Sequence, residues 1–271
     1  DESLRDDAYR DLHLRLEGRV VGALQQVFVE DWAYATGDRG FISAIARSRA
    51  AEASAIEARS VEASIADANP VEDTATDASV AGTSRKTDSS GIRTQVLTSG
   101  PDSPWEAIHR MHVGAIHAAK QRVWMTTPYF VPGEAAMMAL SSAAMAGLDV
   151  RLLVPMRSDS LLVTLAARSY FGPLLQAGVK IYEYGPRMLH SKSLLVDDHL
   201  AIIGSANFDH RSFRLNFEVS VLFDDAGIAG QLAQLIEGEL ASAPRVRQGR
   251  QRSLLGARLP EALARLLSPL L

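Results

Sequence analysis

The chain has 271 residues, of which 47% are hydrophobic and 22% charged, and its formal net charge is −4. This length and apolar content suffice for one large domain or two small ones with genuine cores. A weakly acidic chain lacks the overall field that attracts nucleic acid, the absence of cysteine excludes disulfides and thiolate metal sites, and no apolar run reaches the roughly 18 residues of a membrane-spanning helix.

The beginning of the chain predicts a strand over residues 12–16, a turn at Gly18 and an amphipathic helix over residues 20–32. Ala, Ser, Thr, Asp and Glu then dominate, and acidic residues recur at every fifth position, which on a helix gives a spiral of charge instead of one charged face. We therefore predict a first region over residues 1–40 and a low-complexity acidic linker over residues 41–93, mobile or frayed-helical. An interaction tail for a basic partner is the alternative for this linker.

From residue 94 to residue 271 short strands alternate with helices, which is typical of an α/β sandwich with a mixed sheet flanked by helices. Strands are predicted over residues 95–98, 122–126, 149–154, 179–184, 189–196, 200–203 and 218–223. Helices are predicted over residues 105–120, 133–146, 160–177 and 226–239. The fold class we expect is α/β.

The strand over residues 189–196 carries the most informative pair of side chains, His190 and Lys192. Two residues apart on a strand, they project to the same face, roughly 6.6 Å from each other. An imidazole titrates near neutrality and can attack phosphorus or protonate a leaving alkoxide, and an ammonium is a compact charge for a phosphate oxygen. On its own such a pair is more often part of a solvated strand face. We expect the imidazole to lie beside the lysine and outside the hydrophobic interior.

The next strand follows after a three-residue turn, so the two strands predict a hairpin. Pairing of Val196 with Leu200 places Lys192 opposite Gly204 and puts His190 opposite residue 206. The glycine permits close backbone approach where an anion binds.

Hydrogen-bonding side chains follow the hairpin at Ser205, Asn207 and Glu218. In the expected register Ser205 and Asn207 fall beside the same site and hold phosphate oxygens as charge redistributes. Glu218 is a candidate to orient an imidazole through its second nitrogen. The whole run from His190 to Glu218 is far more specific than the pair alone.

Other polar and aromatic groups have simpler interpretations. The spacing of His109, His112 and His117 does not complete a metal site, so we interpret them as a solvated helix face. Tyr129 and Phe130, at a strand end, line a substrate mouth or pack in the core.

Two basic groups lie further along. We expect His210 and Arg211 either to bind a second phosphate or to form surface salt bridges. The arginines and leucines from residue 245 to residue 267 form either a basic amphipathic element on anionic lipid headgroups or a terminal helix docked on its own domain.

The motif His-x-Lys-x-x-x-x-Asp followed by Gly-Ser-x-Asn, carried here by His190, Lys192, Asp197 and residues 204–207, resembles the signature of the phospholipase D superfamily. Within that superfamily the chain from about Thr94 to its end resembles bacterial cardiolipin synthases. The supporting stretches are residues 127–132, 149–155, 177–184, 207–213 and 267–271.

A second likeness covers residues 10–18, Phe28 and residues 31–32, which resemble the segment that follows the first of two such motifs in this family. No other His-x-Lys-x-x-x-x-Asp precedes His190, and Asp1 is not an initiator residue. We therefore expect one complete phospholipase D-like half over residues 94–271 and a remnant of the other half over residues 1–40.

The resemblance implies metal-free and cofactor-free transfer of a phosphatidyl group between two phosphatidylglycerol molecules, through a phosphohistidine, at a bacterial membrane surface. It implies catalytic roles for His190, Lys192 and Asp197, the last as a holder of geometry, and substrate binding by the other named polar residues: Ser205, Asn207 and Glu218. The active site would form with a complementary half or a second copy, and nucleic acid is not expected as a partner. Hydrolysis of a phosphodiester and a catalytically silent half-domain are the alternatives.

Overall fold

The computed structural model describes residues 9–37, 40, 63–68, 91–103, 105–247 and 259–268. The strands are β1 Tyr9–Leu16, β2 Ala63–Ala68, β3 Arg93–Ser99, β4 Arg122–Thr126, β5 Phe130–Val131, β6 Asp149–Pro155, β7 Lys180–Tyr184, β8 Met188–Leu189, β9 Ser193–Val196, β10 Leu200–Gly204, β11 Phe208–Asp209 and β12 Glu218–Asp224. The helices are α1 Arg19–Thr36, α2 Ala107–Ala118, α3 Glu134–Met145, α4 Leu161–Ala177, α5 His210–Arg214, α6 Ala226–Ser242 and α7 Leu259–Leu266.

Seven strands form the main sheet in the order β3-β12-β10-β9-β4-β6-β7. The pairs β4–β6 and β6–β7 are parallel, and the remaining neighbours are antiparallel. The sheet is therefore mixed and flanked by helices, and the predicted α/β class is confirmed.

Side-chain alternation along the strands builds a core on each face of this sheet. In β4, Val123 and Met125 point into the core that α2, α3 and α4 cover, whereas Trp124 points into the core that α6 covers. Trp124 is 2% exposed, and Arg122 and Arg151 lie over its ring at 4.7 and 4.1 Å from the ring centroid. Such layers of apolar side chains supply the main favourable term for folding.

A smaller sheet, in the order β2-β1-β8, attaches β1 to the main domain. β1 runs parallel to β8 and antiparallel to β2. Arg10 of β1 also forms a buried ion pair with Glu239 of α6 (3.1 Å), and Val20 of α1 joins the core beneath α6. Residues 9–20 are thus packed against the domain.

Within the predicted linker, the structure departs from the prediction at residues 63–68. Residues 63–68 form a strand paired with β1 and are not helical, because β1 offers them an unpaired edge. The remainder of the linker up to residue 90 lies outside the described residues. The boundaries predicted for the three regions remain predictions.

Among the residues that the structure describes, none of the helices combines the length and apolar character that a bilayer crossing requires.

Candidate active site

The catalytic candidates lie where the chain crosses from the small sheet to the main sheet. β8 ends at Leu189 and β9 begins at Ser193, so one continuous strand over residues 189–196 was a wrong prediction for residues 190–192. The cause is a change of hydrogen-bonding partner. The backbone N–H of His190 donates to the carbonyl of Arg10 in β1 (2.7 Å), and from Ser193 onward the chain pairs with β10.

The predicted hairpin register is confirmed over the length of β9. Val196 pairs with Leu200, and the N–H of Gly204 donates to the carbonyl of Lys192 (3.2 Å). His190 does not continue this ladder toward residue 206, since its backbone already pairs with β1.

The imidazole of His190 lies between an ammonium and a carboxylate. Lys192 Nζ is 3.1 Å from Nε2 and 3.2 Å from Nδ1 of the ring, and it also donates to the carbonyl of His190 (2.6 Å). Asp11 Oδ2 lies 3.0 Å from Nδ1. The His190 side chain is 41% exposed, so the ring is open to a ligand and is not turned into the interior.

These contacts assign the two ring nitrogens different tasks. When Nδ1–H donates to the carboxylate of Asp11, Nε2 is left as the basic nitrogen of a neutral imidazole. Protonation at Nε2 then gives an imidazolium that Asp11 stabilises. The arrangement of a base held by a third group is the one that an activated catalytic site requires.

Burial and charge oppose each other at the flanking groups. Burial lowers the pKa of Lys192, and the carboxylates of Asp11, Glu218 and Asp209 limit this change. Burial alone would raise the pKa of Asp11, but its hydrogen bonds with His190 and the N–H of residue 12, with the charges of His190 and Lys192, hold that pKa below its ordinary value. The carboxylate is therefore ionised at neutral pH.

Glu218 does not orient His190, contrary to the prediction. Its carboxylate accepts hydrogen bonds from the Ser205 hydroxyl and from Asn216 Nδ2 (3.1 Å). The first position of β12 places Glu218 next to Ser205, whose hydroxyl also accepts from the N–H of Val219 (3.0 Å). Asp11, on β1, takes the orienting position instead.

Asn207 supplies an unpaired amide within the same motif. Its Oδ1 is buried and has no hydrogen-bond partner among the described residues, while its backbone N–H donates to Ser212 Oγ (3.1 Å). A buried polar atom left unpaired is uncommon in folded proteins and is a position for a ligand to fill. The two ends of an amide are interchangeable in assignment, so this position can present a donor to an oxyanion.

Asp197 lies at the other end of β9, roughly 16 Å along the chain from Lys192. Its carboxylate accepts hydrogen bonds from the backbone N–H groups of Lys120, Gln121 and Arg122, at 2.8–3.1 Å. Burial would raise the pKa of Asp197, but these three donors hold it below its ordinary value. Asp197 therefore anchors the hairpin turn to the start of β4 and does not reach the imidazole.

Gly204 allows the close backbone approach that was predicted, and the backbone that approaches it is that of β12, while the anion at this position remains a prediction. A Cβ at this position would lie 2.4 Å from the carbonyl oxygen of Val219 and 2.7 Å from the Cα of Ser220. No real Cβ tolerates such a distance to backbone, so only glycine allows β10 and β12 to approach here.

Three residues near the site were not singled out from the sequence as site residues. They are Asp11, Tyr9, whose ring centroid lies 5.3 Å from that of His190, and Asp209, whose pKa is raised by burial. The only available signal was a charged residue directly before the predicted strand, at position 11. The pairing of β1 with β8 joins segments far apart in the chain and has no local sequence signature.

The interpretation of the three helix histidines changes with the structure. His112 is buried and not solvated, because its Nδ1–H donates to the carbonyl of Ile108 (2.8 Å) and its ring packs against Phe208 and Phe213. Burial lowers its pKa to about 4. No group of three or more potential metal ligands lies together within the described residues.

The remaining candidates divide between core and surface. Phe130 is fully buried, whereas Tyr129 is partly exposed and its hydroxyl donates to Asp159 Oδ1 (2.6 Å). The terminal helix α7 docks on its own domain, where Arg265 lies 4.6 Å from the ring centroid of Tyr170 in α4. Several of its leucines remain exposed: Leu259, Leu263 and Leu266.

Comparison with known proteins relates this chain to a family. Residues 113–240 match the family described as cardiolipin synthase, PLD-like domain. Cardiolipin synthase 2 of Bacillus anthracis is 38% identical over 276 residues, which cover 100% of this chain and 47% of that protein. Cardiolipin synthase A of Pseudomonas aeruginosa strain UCBPP-PA14 is 38% identical over 268 residues, with 97% of this chain and 46% of that protein covered. The chain thus spans about half the length of the curated relatives it matches.

Solved structures share the fold. The phospholipase D family member Nuc from Salmonella typhimurium aligns with a TM-score of 0.50 and 22% identity over 58% of this chain and 100% of its own. Phosphatidylserine synthase from Haemophilus influenzae Rd KW20 aligns with a TM-score of 0.54 and 14% identity over 67% of this chain and 48% of its own.

Proposed function

The chain belongs to the phospholipase D superfamily and carries a PLD-like domain of the cardiolipin synthase type, and on this premise we propose that it is part of a phosphatidyltransferase. The reaction proposed joins two phosphatidylglycerol molecules into cardiolipin and releases glycerol. The observation that carries the proposal is the accessible imidazole of His190 held between Lys192 and Asp11.

His190 acts as the general acid and then the general base. A counterpart imidazole, outside this site, attacks phosphorus, and the bond from phosphorus to the glycerol oxygen breaks as the imidazolium of His190 gives its Nε2 proton to that oxygen. In the second step the hydroxyl of the acceptor lipid attacks phosphorus and passes its proton to Nε2, while the bond from phosphorus to the counterpart nitrogen breaks. His190 regains its first protonation state, so protons balance over the cycle.

Lys192 and Asn207 bind the phosphoryl oxygens. The ammonium lies against the imidazole that faces the phosphorus, and the unpaired amide of Asn207 belongs to the same motif. Both stabilise the negative charge that is spread over the non-bridging oxygens in the transition state. Ser205 and Glu218, which are hydrogen-bonded to each other, form the side of the phosphoryl site. Asp197 anchors the hairpin that carries this site.

The counterpart imidazole comes from a complementary half or from a second copy of this chain. The protein acts at a bacterial membrane surface as a peripheral protein, because its substrates are anionic phospholipids. Its net charge of −4 gives no general attraction for nucleic acid.

Hydrolysis is the second candidate, favoured by the exposure of His190, since water reaches an imidazole that is 41% exposed. Choice between water and a lipid hydroxyl depends on how well the assembled site excludes water. A chain that is catalytically silent alone is the third candidate.

The test is to incubate the purified chain with labelled phosphatidylglycerol in detergent and to separate the lipid products. Cardiolipin that is lost in His190→Ala supports the transferase, and phosphatidic acid without cardiolipin identifies hydrolysis. Product formation that persists unchanged in His190→Ala contradicts the proposed site.

A further inference from the structure

A cleft separate from the His190 motif opens at the edge of the main sheet. It has a volume of about 1040 Å³ and lies between the end of β6, the start of α4 and residues 244–247. Its lining includes four arginines and two carboxylates: Arg157, Arg168, Arg245, Arg247, Asp159 and Glu183. A site of this size accommodates a small organic ligand.

The charges of this cleft leave an excess of unpaired cations. Arg168 is neutralised by Glu183 (2.9 Å), and Asp159 is engaged by the hydroxyl of Tyr129. The side chains of the three other arginines have no ion-pair or hydrogen-bond partner among the described residues: Arg157, Arg245 and Arg247. With four arginines and two carboxylates in its lining, the cleft keeps a net positive charge, and its guanidinium groups are suited to a phosphate or phosphodiester anion, which they bind through paired N–H donors.

The backbone that carries Arg245 is fixed. Val246 N–H donates to the carbonyl of Ile181 (2.9 Å), the N–H of Glu183 donates to the carbonyl of Pro244 (3.1 Å), and Val246 is buried in the core. Residues 244–246 therefore extend the edge of β7, and they hold Arg245 in a defined place instead of on a free tail.

The cleft lies at the end of the main sheet that carries the catalytic histidine. Ser193, at the start of β9, pairs with Thr126 at the end of β4, and Thr126 pairs with Leu153 near the end of β6. Residues 156–159, which line the cleft, follow directly after β6, and His190 lies just before β9. The cleft and the reaction centre therefore belong to the same edge of the domain.

Part of the cleft lining is apolar. Met156 and Leu161 form this part, here called the apolar rim, and Leu161 is 74% exposed. An anionic headgroup attached to hydrocarbon chains satisfies both the arginines and this apolar rim, whereas a free inorganic phosphate satisfies only the arginines.

We propose that this cleft is the acceptor subsite, which binds the phosphodiester of the second phosphatidylglycerol. The inference rests on the proposed function and extends it. Joining two anionic lipids brings two phosphodiesters within one glycerol unit of each other, and their repulsion requires a second set of cations besides Lys192. The surplus arginines supply that set and favour a phospholipid acceptor over water.

The experiment is a calorimetric titration of the chain in a Lys192→Gln background, which removes the cation of the reaction centre. The probes are a short-chain, water-soluble phosphatidylglycerol, which keeps the headgroup and part of the hydrocarbon chains, and, separately, inorganic phosphate. We expect the headgroup of this lipid to bind more tightly than inorganic phosphate, because only the lipid also contacts the apolar rim. Arg157→Gln and Arg245→Gln should each weaken headgroup binding about tenfold, the equivalent of one charge-assisted hydrogen bond.

Arg19→Gln is the matched control, because Arg19 is an exposed arginine at the start of α1 and does not line the cleft. The control should bind the headgroup with the same affinity as the Lys192→Gln parent. Arg245→Lys should recover part of the affinity that Arg245→Gln loses. The inference is overturned if the cleft variants bind like the control, if binding vanishes with Lys192→Gln alone, or if inorganic phosphate binds as tightly as the headgroup. The titration measures binding and not turnover. A failure of this inference is therefore distinguishable from a failure of the proposed function, which the turnover comparison with His190→Ala tests.

Discussion

The two ends of strand β9 belong to one sequence motif and yet have opposite physical characters. At the His190 end the side chains are partly exposed, and a nearby amide, that of Asn207, is unpaired. At the Asp197 end the hydrogen-bonding capacity is used within the protein, since one buried carboxylate accepts hydrogen bonds from three backbone N–H groups. One end offers unfilled bonding capacity to a ligand, and the other has used its capacity to fix the chain.

The motif therefore combines catalytic groups with the contacts that hold them in place. Catalysis needs the imidazole and the ammonium to be held still while they remain available. A hairpin clamped at its turn by Asp197 and tied to β1 at its other end provides that rigidity without covering the imidazole. Substitutions at the two ends should therefore separate activity from stability.

The largest expected effect is on activity at the open end. His190→Ala should lower the rate of phosphatidylglycerol turnover about 10³-fold, because the acid–base group is removed, while the free energy of unfolding changes by less than about 0.5 kcal/mol. The same substitution at His199, an exposed histidine in the turn at the other end of β9, is the control. Equal losses of turnover in the two variants would abolish the distinction between the ends.

At the closed end the expected effect is on stability. Asp197→Ala should lower the free energy of unfolding by about 3 kcal/mol, because three backbone N–H groups lose their acceptor in a mostly buried site. Asp198→Ala, which removes an exposed carboxylate paired with Arg122, should cost less than about 1 kcal/mol. Denaturant titration measures both, and similar values for the two variants would show that Asp197 is not an anchor.

A buried histidine adds a pH dependence that must be separated from that of Asp197. The pKa of His112 is about 4 in the folded protein and 6.5 ordinarily, so between these pH values only the unfolded chain takes up the proton. The contribution of neutral His112 to the free energy of unfolding should therefore be fully present above pH 6.5. The free energy of unfolding should fall by about 3 kcal/mol as the pH drops toward 4. The lowered pKa of Asp197 acts at still lower pH, since its contribution is lost only below the ordinary value of 3.8.

His112→Gln is the variant that checks this assignment. It should remove most of the decline in unfolding free energy between pH 6.5 and 4, although its stability at neutral pH is lower because a core ring is lost. An unchanged slope over that interval would assign the decline to other groups.

The smallest effect is expected at the residue that positions the imidazole. Asp11→Asn keeps a hydrogen-bond acceptor near Nδ1 but removes the negative charge, so turnover should fall about tenfold through kcat, with KM unchanged. Asp11→Glu should recover part of the loss. A change confined to KM would indicate that Asp11 binds substrate and does not orient His190.

The sequence predicted the parts of the fold that local patterns determine. Strand β4 has the predicted bounds, and the pairing of Val196 with Leu200 follows from the short turn between two apolar runs. The strand break at His190 was not predictable, because it depends on β1, which lies far away in the chain.

The same cause explains why Glu218 was assigned the task that Asp11 performs. In the sequence the carboxylate that follows the motif is that of Glu218. In the structure the pairing of β1 with β8 brings a different carboxylate, that of Asp11, beside the ring of His190. The burial of His112 and the strand at residues 63–68 also depend on tertiary neighbours, which composition does not reveal. Chemistry-bearing residue types were readable from the sequence, and their mutual contacts required the structure.

The most direct test of the central claim is to measure turnover and molar mass on the same fractions of the purified chain. Size-exclusion chromatography with light scattering gives the mass, and labelled phosphatidylglycerol gives the rate. Because the site presents one His190–Lys192 pair and the mechanism requires a counterpart imidazole, turnover should be confined to fractions with the mass of a dimer or to mixtures with a complementary half. Turnover by a strict monomer at the same specific rate would contradict the account.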